Sequence, residues 1–479
     1  MKKLLRVRTE ERTYVPPDGP TAVSAGLRPH LALGALLFAL YSALSISRHI
    51  RFDHPSWDVA IFEQVARAYS QLQAPIVPIK GPDFNILGDH FSPILALLGP
   101  LYRVFPSPVT ILLVQAALFA VSAVVVSHTA TLFLGRVRGL LAGAAYGVSW
   151  GVQRAVDVGF HEICFAAPLL AICLRKLLQS DWRKAAYWAS PPLVLVKEDL
   201  GLTVAAVGVC IFIAGGKRIG AVLAAYGIVA TVIVMTVIIP MFNPVGGYDY
   251  WDKMASGGDE SAGLGTALFT EAGVKAETLV WLFGIVAFIA LRSVLSLVAI
   301  PTLAWRFLSE ESNYWGTDWH YSAVLMPVVF MAFLDAVRSS SSSPRGWVRQ
   351  YAQSAVPVMA AVAVVLCMQL PLRDVLRPGF YDGGSNAEAA QRAVSHVPDG
   401  VTVEANTGLM THLTSRTVVY WVGNTGSLAP QYVALDLASG WAAPPTDPVA
   451  YVEQLHPDAR YDLVFREGRY VVMALRGTG

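Results

Sequence analysis

The chain has 479 residues, 54% of them hydrophobic and only 15% charged, with a mean hydropathy of +0.49. Ordinary soluble domains carry about a quarter charged residues, so this composition excludes that class and points to an integral membrane protein. The 36 basic and 34 acidic residues nearly cancel to a formal +2, which gives no argument for a nucleic acid or an acidic partner.

From Met1 to Arg28 the chain is polar, basic and broken by Pro16, Pro17 and Pro20, which predicts a disordered cytoplasmic tail over residues 1–29. Leu31 to Ser47 is then uncharged and nearly long enough to span a bilayer. Lys2, Lys3, Arg6, Arg8 and Arg12 ahead of it place its N-terminal end inside. A cleaved signal peptide fits less well, because the polar stretch is too long and the cleavage pattern poor.

Further apolar runs follow at 108–134, 139–153, 160–175, 185–197, 200–215, 219–241, 277–291, 293–308, 320–337 and 353–371. They predict an all-α polytopic membrane domain over residues 30–372 with about eleven crossings, or about nine if the shortest runs do not span alone. Cys164, Cys173, Cys210 and Cys367 all fall in such runs without metal-ligand spacing and read as buried hydrophobes, not as a disulfide framework or zinc ribbon.

Short cytoplasmic loops collect Lys and Arg, which tests the map independently of hydropathy. Counted from an inside N-terminus, Arg136 and Arg138, then Arg175, Lys176, Arg183 and Lys184, then Lys217 and Arg218, then Arg292, then Arg338, Arg345 and Arg349 all fall inside. Ser339 to Ser343 reads as a flexible inner linker, and the chain after about residue 372 emerges outside. Residues 380–479 change composition and predict a small soluble α/β domain, with helices Asn386–Ser395 and Pro448–Leu455. Its strands are Val401–Glu404, Thr417–Tyr420, Tyr432–Leu437, Asp462–Phe465 and Tyr470–Ala474, the last two turned by Glu467-Gly468. No GxGxxG, Walker loop or nucleophile elbow occurs in it, which favours a packing or partner-binding role.

Sorted by side, the polar residues that a membrane protein avoids fall mostly outside. An outer loop over 48–92 holds Arg51, Asp58, Asp89 and His90, and Trp57 to Leu72 recurs at helical spacing, as a segment lying along the membrane surface does. Three further outer turns hold His161 and Glu162 (VDVGFHEICF), Lys197, Glu198 and Asp199 (VLVKEDLGL), and His320 and Tyr321 (GTDWHYS). Charges at membrane depth are costly unless paired or solvated, so Lys197-Glu198-Asp199 between apolar runs implies an internal polar cavity. Each signal has a plainer reading too. Asp58 suits a helix first turn, Lys197 and Glu198 suit an ion pair between short helices, His161 and Glu162 suit an interface, His90 beside Asp89 suits a loop contact, and Trp315 and Trp319 suit the aromatic belt.

The blocks WDVAIFEQ, GDHFSPILALLGPLY, FHEICFAAPLL, VKEDLGL, IIPMFNPVGGYDYW and HYSAVLMP, in that order over roughly residues 30–340, resemble the bacterial and archaeal membrane family known as domain of unknown function 2079. That family is similar in plan to the GT-C glycosyltransferases, membrane enzymes that use polyprenyl-phosphate sugars and carry an acidic residue in the first outer loop. Where the family block reads YDLAIFxQ, this chain has Trp57-Asp58 and keeps the acid. The C-terminal domain lies outside the strongest resemblance.

The resemblance implies a bacterial plasma-membrane glycosyltransferase with Asp58 as the base that accepts the proton of the attacking hydroxyl. Lys197, His161, His320, Arg51 and Arg306 are the candidate groups for the leaving phosphate. Glu162, Glu198 and Asp199 would orient them, or hold Mg²⁺ or Mn²⁺, although no spacing demands a metal. Two other readings stand beside it. One is a transporter or flippase of a lipid-linked or anionic solute, which the absence of an internal repeat disfavours. The other is a non-catalytic membrane scaffold.

Overall fold

A computed structural model describes residues 26–54, 56–248, 250, 264–441 and 443–477, so the tail expected over residues 1–25 lies outside the described residues. Among the described residues five helices are long and apolar enough to cross a membrane: Arg28–Ile50, Pro108–Leu134, Lys217–Phe242, His320–Ser341 and Gly346–Cys367. At 1.5 Å per residue each exceeds the roughly 30 Å of a hydrocarbon core. His320–Ser341 is the hub, 89% buried over its apolar window, with Phe330 and Phe333 fully enclosed. The outer spans turn apolar faces outward, as Leu36, Val222, Val229, Val364 and Val365 do.

Several shorter runs break. The run at 139–153 divides at Val148 and Ser149 into helices Arg136–Gly147 and Trp150–Asp157. The run at 185–197 winds into short turns at Ala185–Ala189 and Pro191–Leu195, because Pro191 and Pro192 lack the N–H a continuous helix uses. The run at 277–291 ends its helix at Gly284, and Ala287 and Phe288 then take left-handed conformations with φ of 52° and 55°. Such broken segments survive at membrane depth because neighbouring protein covers them.

Helices Leu200–Ile213 and Lys217–Ile233 form a tight hairpin built on small residues. A Cβ on Gly208 would come 2.5 Å from the Ala224 amide nitrogen, and one on Gly227 would come 2.3 Å from the Gly201 carbonyl oxygen. The Thr231 hydroxyl reaches from this hairpin to the Glu198 carbonyl oxygen at 3.3 Å, so the close packing also holds the segment that carries Glu198.

The C-terminal part is a small α/β domain with strands β1 (Thr402–Ala405), β2 (Val418–Trp421), β3 (Tyr432–Asp436), β4 (Tyr461–Glu467) and β5 (Tyr470–Leu475). The sheet order is β2-β1-β3-β5-β4, parallel across β2-β1-β3 and antiparallel across β3-β5-β4. Side chains alternate across the pleat. Val433, Leu435, Val471 and Met473 meet Val452 of helix Pro448–Leu455 on one face. Ala434 and Val472 on the other join Ala390 and Val394 of helix Gly384–Ser395 in a core continuous with the membrane helices.

That continuity corrects the reading of the segment after the first span. Its helix, Asp58–Ser70, is not laid along the membrane with one exposed face; it is buried on nearly every side between the helical bundle and the α/β domain. Gln64 Nε2 donates to the Val419 carbonyl at 2.9 Å, and Arg67 Nη1 donates to the Thr414 and Thr417 carbonyls at 3.0 and 2.7 Å. His412 of the α/β domain stacks on His49 and Phe52 at the end of the first span, with ring centroids 4.1 and 3.6 Å apart. The amphipathic pattern is real, but its apolar face meets protein rather than lipid.

Candidate functional site

Five segments at helix ends converge on one cavity of about 440 Å³. Asp58 opens the buried helix. Asp89 and His90 follow a short turn whose Gly88 lies so close to the end of span Lys217–Phe242 that a Cβ would meet the Phe242 backbone at 2.5 Å. His161 follows Gly159, whose φ of +101° turns the chain where a Cβ would strike Val59. Gln115 of span Pro108–Leu134 fixes that turn, donating to the Gly159 and Ala155 carbonyls at 2.9 and 3.2 Å and accepting from the His161 amide at 3.0 Å. Lys197, Glu198 and Asp199 precede helix Leu200–Ile213, and His320 and Tyr321 lead into the central helix.

The charged groups meet in pairs. Asp58 Oδ2 lies 3.1 Å from His161 Nε2 and accepts from the Ser56 hydroxyl at 2.5 Å. Lys80 Nζ lies 3.0 Å from Asp89 Oδ2, and Lys197 Nζ lies 3.0 Å from Glu162 Oε1. Glu198 meets His90 Nδ1 at 2.8 Å and accepts from the Phe91 amide at 3.1 Å and the Tyr248 hydroxyl at 3.1 Å. The Tyr250 hydroxyl lies 2.8 Å from His90 Nε2, and the His161 and His320 rings stack at 3.5 Å. Trp57, Tyr314 and Trp319 add aromatic surface to the wall.

Withdrawal from water opposes charge on Asp58, but His161, the Ser56 hydroxyl and Lys80 together outweigh it and hold the carboxyl below its ordinary value. Asp89 is treated alike: burial raises it, and His90 and Lys80 bring it below its ordinary value. His90 moves upward, since Glu198 and Asp89 overcome both its burial and the repulsion of Lys197. The site therefore presents a carboxylate at Asp58 and fixed positive charge within one concavity.

Asp89, Glu162 and Glu198 each face a cation, and among the described residues no three His, Cys, Asp or Glu side chains are grouped to hold a metal ion. The donor set does not fit Mg²⁺ or Mn²⁺ as it stands.

Ten of the twelve residues chosen from sequence line this cavity: Asp58, Asp89, His90, His161, Glu162, Lys197, Glu198, Asp199, His320 and Tyr321. Arg51 and Arg306 do not. Arg51 Nη1 turns to the Gly379 and Asp382 carbonyls at 3.3 and 2.9 Å, tying the first span to the α/β domain. Arg306 is fully buried and donates to the Tyr314 and Gly316 carbonyls and the Ser322 hydroxyl, holding the turn behind the wall. Lys197 pairs with Glu162 rather than with its neighbour Glu198, and His90 with Glu198 rather than only within its loop. Sequence reasoning passed over Lys80, Tyr248 and Tyr250; the tyrosines do stand in the block IIPMFNPVGGYDYW.

Fold and site together define a multi-pass helical membrane protein of GT-C-like plan, with a charged cavity at the start of a buried helix on which a small α/β domain packs. The chain belongs to the family described as Predicted membrane protein (DUF2079), whose profile matches residues 48–476. The match thus takes in the C-terminal α/β domain, which the sequence blocks had left outside. No curated protein matches the chain. Among solved structures it is similar to the crystal structure of ArnT from Cupriavidus metallidurans in the apo state, with 14% identity and a TM-score of 0.51 over 95% of this chain and 98% of that one. At that identity the likeness concerns the fold.

Proposed function

We propose that this protein is a GT-C-type glycosyltransferase that moves a sugar from a polyprenyl-phosphate donor to an acceptor hydroxyl on the extracytoplasmic face. The observation that carries the reading is Asp58 Oδ2 at 3.1 Å from His161 Nε2 in a cavity that also holds Lys80, Lys197 and His90. The likeness in fold to ArnT supports it.

In this reading Asp58 accepts the acceptor's hydroxyl proton as its oxygen bonds to the anomeric carbon. The bond from that carbon to the phosphate oxygen breaks on the opposite side, leaving polyprenyl phosphate and an inverted linkage. Lys197 keeps the leaving-group role expected from sequence, and Lys80 joins it in place of Arg51 and Arg306, because fixed cations stabilise charge that develops on the phosphate. His161 orients Asp58, and the tyrosines and tryptophans offer flat faces and hydroxyls to a sugar.

In this reading the N-terminus lies in the cytoplasm of a bacterial cell, residues 30–372 in the plasma membrane and 380–479 outside, an orientation that the distribution of Lys and Arg among the loops supports. Asp58→Asn keeps the shape and removes the base. Transfer from a polyprenyl-phosphate sugar should fall by about 10²–10⁴-fold while the protein still folds. Undiminished transfer by the folded variant would dismiss the role.

A further inference from the structure

A second cleft, of about 350 Å³, lies at the opposite end of the buried helix from Asp58 and is lined by Arg67, Ser70, Gln71, Tyr102, Arg103 and Ser415. Nine residues separate Asp58 from Arg67, so the two sites stand about 13 Å apart along one helix. We propose that this cleft binds the phosphate of an anionic phospholipid from the surrounding bilayer, and that the lipid pins the helix carrying Asp58 to the α/β domain. The proposal does not rest on the glycosyltransferase reading.

Among the described residues neither Arg67 nor Arg103 forms an ion pair with a carboxylate. Glu63, one turn before Arg67, has its oxygens taken by the hydroxyls of Tyr102 and Thr414. Arg67 spends only Nη1 on carbonyls, those of Thr414 and Thr417. Two guanidinium groups and the Ser415 hydroxyl in one cleft suit a phosphate, which the Arg fork recognises through paired N–H donors.

The position of the cleft favours a lipid over a soluble phosphate. Arg103 belongs to the apolar segment Pro93–Val104, whose 12 residues are too short to cross a bilayer. Leu97, Leu101 and Val104 are 63%, 48% and 66% exposed, and their spacing of i, i+4 and i+7 puts them on one face, with Phe105, 64% exposed, just past the helix end. That ridge adjoins the cleft just ahead of span Pro108–Leu134, so Arg103 sits at headgroup depth while the ridge faces acyl chains. A phosphodiester in the cleft would have its chains along the ridge. Because Arg67 also holds the loop at Thr414 and Thr417, occupancy couples the bilayer to the joint between helix and domain.

The test uses the full chain, extracted from bilayers of equal phosphatidylglycerol and phosphatidylcholine and weighed intact by native mass spectrometry. Wild type should retain phosphatidylglycerol preferentially. Arg103→Glu, at an exposed position whose side chain makes no hydrogen bond or ion pair among the described residues, should lose that preference by about tenfold, and Arg103→Lys should keep most of it. Equal retention of the two lipids by wild type, or an unchanged preference in Arg103→Glu, would overturn the proposal. So would displacement of the retained lipid by millimolar glycerol phosphate, which would mark a soluble-anion site. Should Arg103→Glu not fold, Arg103→Gln gives the same readings.

Discussion

Glu198 and His90 stand 108 residues apart in the chain and 2.8 Å apart in space, between Oε1 and Nδ1. That contact joins the outer loop to the segment ahead of helix Leu200–Ile213, and with Tyr248 on Glu198 and Tyr250 on His90 it closes one side of the cavity. Glu198 is 1% exposed. Removing one partner of a buried pair leaves the other uncompensated, at a cost of about 3 kcal/mol or more. Glu198→Gln should therefore lower the melting temperature in detergent by roughly 3–5 °C, read by intrinsic fluorescence. An unchanged melting temperature would mean that the pair contributes nothing to the assembly.

Lys80 lines the cavity and Arg51 does not, which gives a direct contrast. Lys80→Gln should reduce kcat for transfer from a polyprenyl-phosphate sugar by a factor on the order of 10². Arg51→Gln should leave kcat within about twofold and cost on the order of 1 kcal/mol of stability through its lost carbonyl contacts. Steady-state kinetics beside thermal unfolding separate the two; equal kinetic losses would return Arg51 to the site.

Glu63 gives a pH prediction. It is fully buried in the helix that follows Asp58, and burial pushes its carboxyl from 4.5 up to about 7 in spite of the hydroxyls of Thr414 and Tyr102 and the charge of Arg67. An acid raised in the folded state contributes stability that is complete below its unfolded value and lost as pH rises through its folded value. The junction between helix and α/β domain should thus weaken from about pH 4.5 to about pH 7, whereas in Glu63→Gln that dependence should vanish. Proteolytic release of the α/β domain as a function of pH reads it; a slope retained in Glu63→Gln would assign it to another group.

Gly159 tests how the site is positioned. Its φ of +101° and the 2.4 Å approach of a built Cβ to Val59 mean that Gly159→Ala must move the turn carrying His161. The expected result is about 1–3 kcal/mol of destabilisation together with a fall in transfer, both partly relieved by Val59→Ala. Full activity in Gly159→Ala would show that the alignment of His161 on Asp58 tolerates displacement.

Much of this site could be read from the sequence because a bilayer makes polar residues expensive, so Lys197-Glu198-Asp199 and His161-Glu162 stand out between apolar runs. Lys80 did not, since a lysine in a polar loop has no such contrast. Tyr248 and Tyr250 sit where interfacial aromatics are expected anyway. Partners were harder still: adjacency favoured Lys197 with Glu198, but successive residues at a helix start point apart, and Glu162 from another turn reaches the ammonium instead. Strand positions in the α/β domain followed from alternation, as in Val433 to Leu435, whereas the burial of helix Asp58–Ser70 beneath that domain did not. An amphipathic stripe records that one face is apolar and is silent on whether lipid or protein covers it.

The central claim is that Asp58 is the base of a transfer reaction in the cavity it shares with His161, Lys80 and Lys197. The most direct measurement is single-turnover formation of glycosylated product by wild type and Asp58→Asn reconstituted in vesicles with a polyprenyl-phosphate sugar. Wild type should form product at neutral pH, where the lowered value of Asp58 keeps it ionised, and the folded variant should form about 10²–10⁴-fold less. Product formation by Asp58→Asn at the wild-type rate would contradict the account.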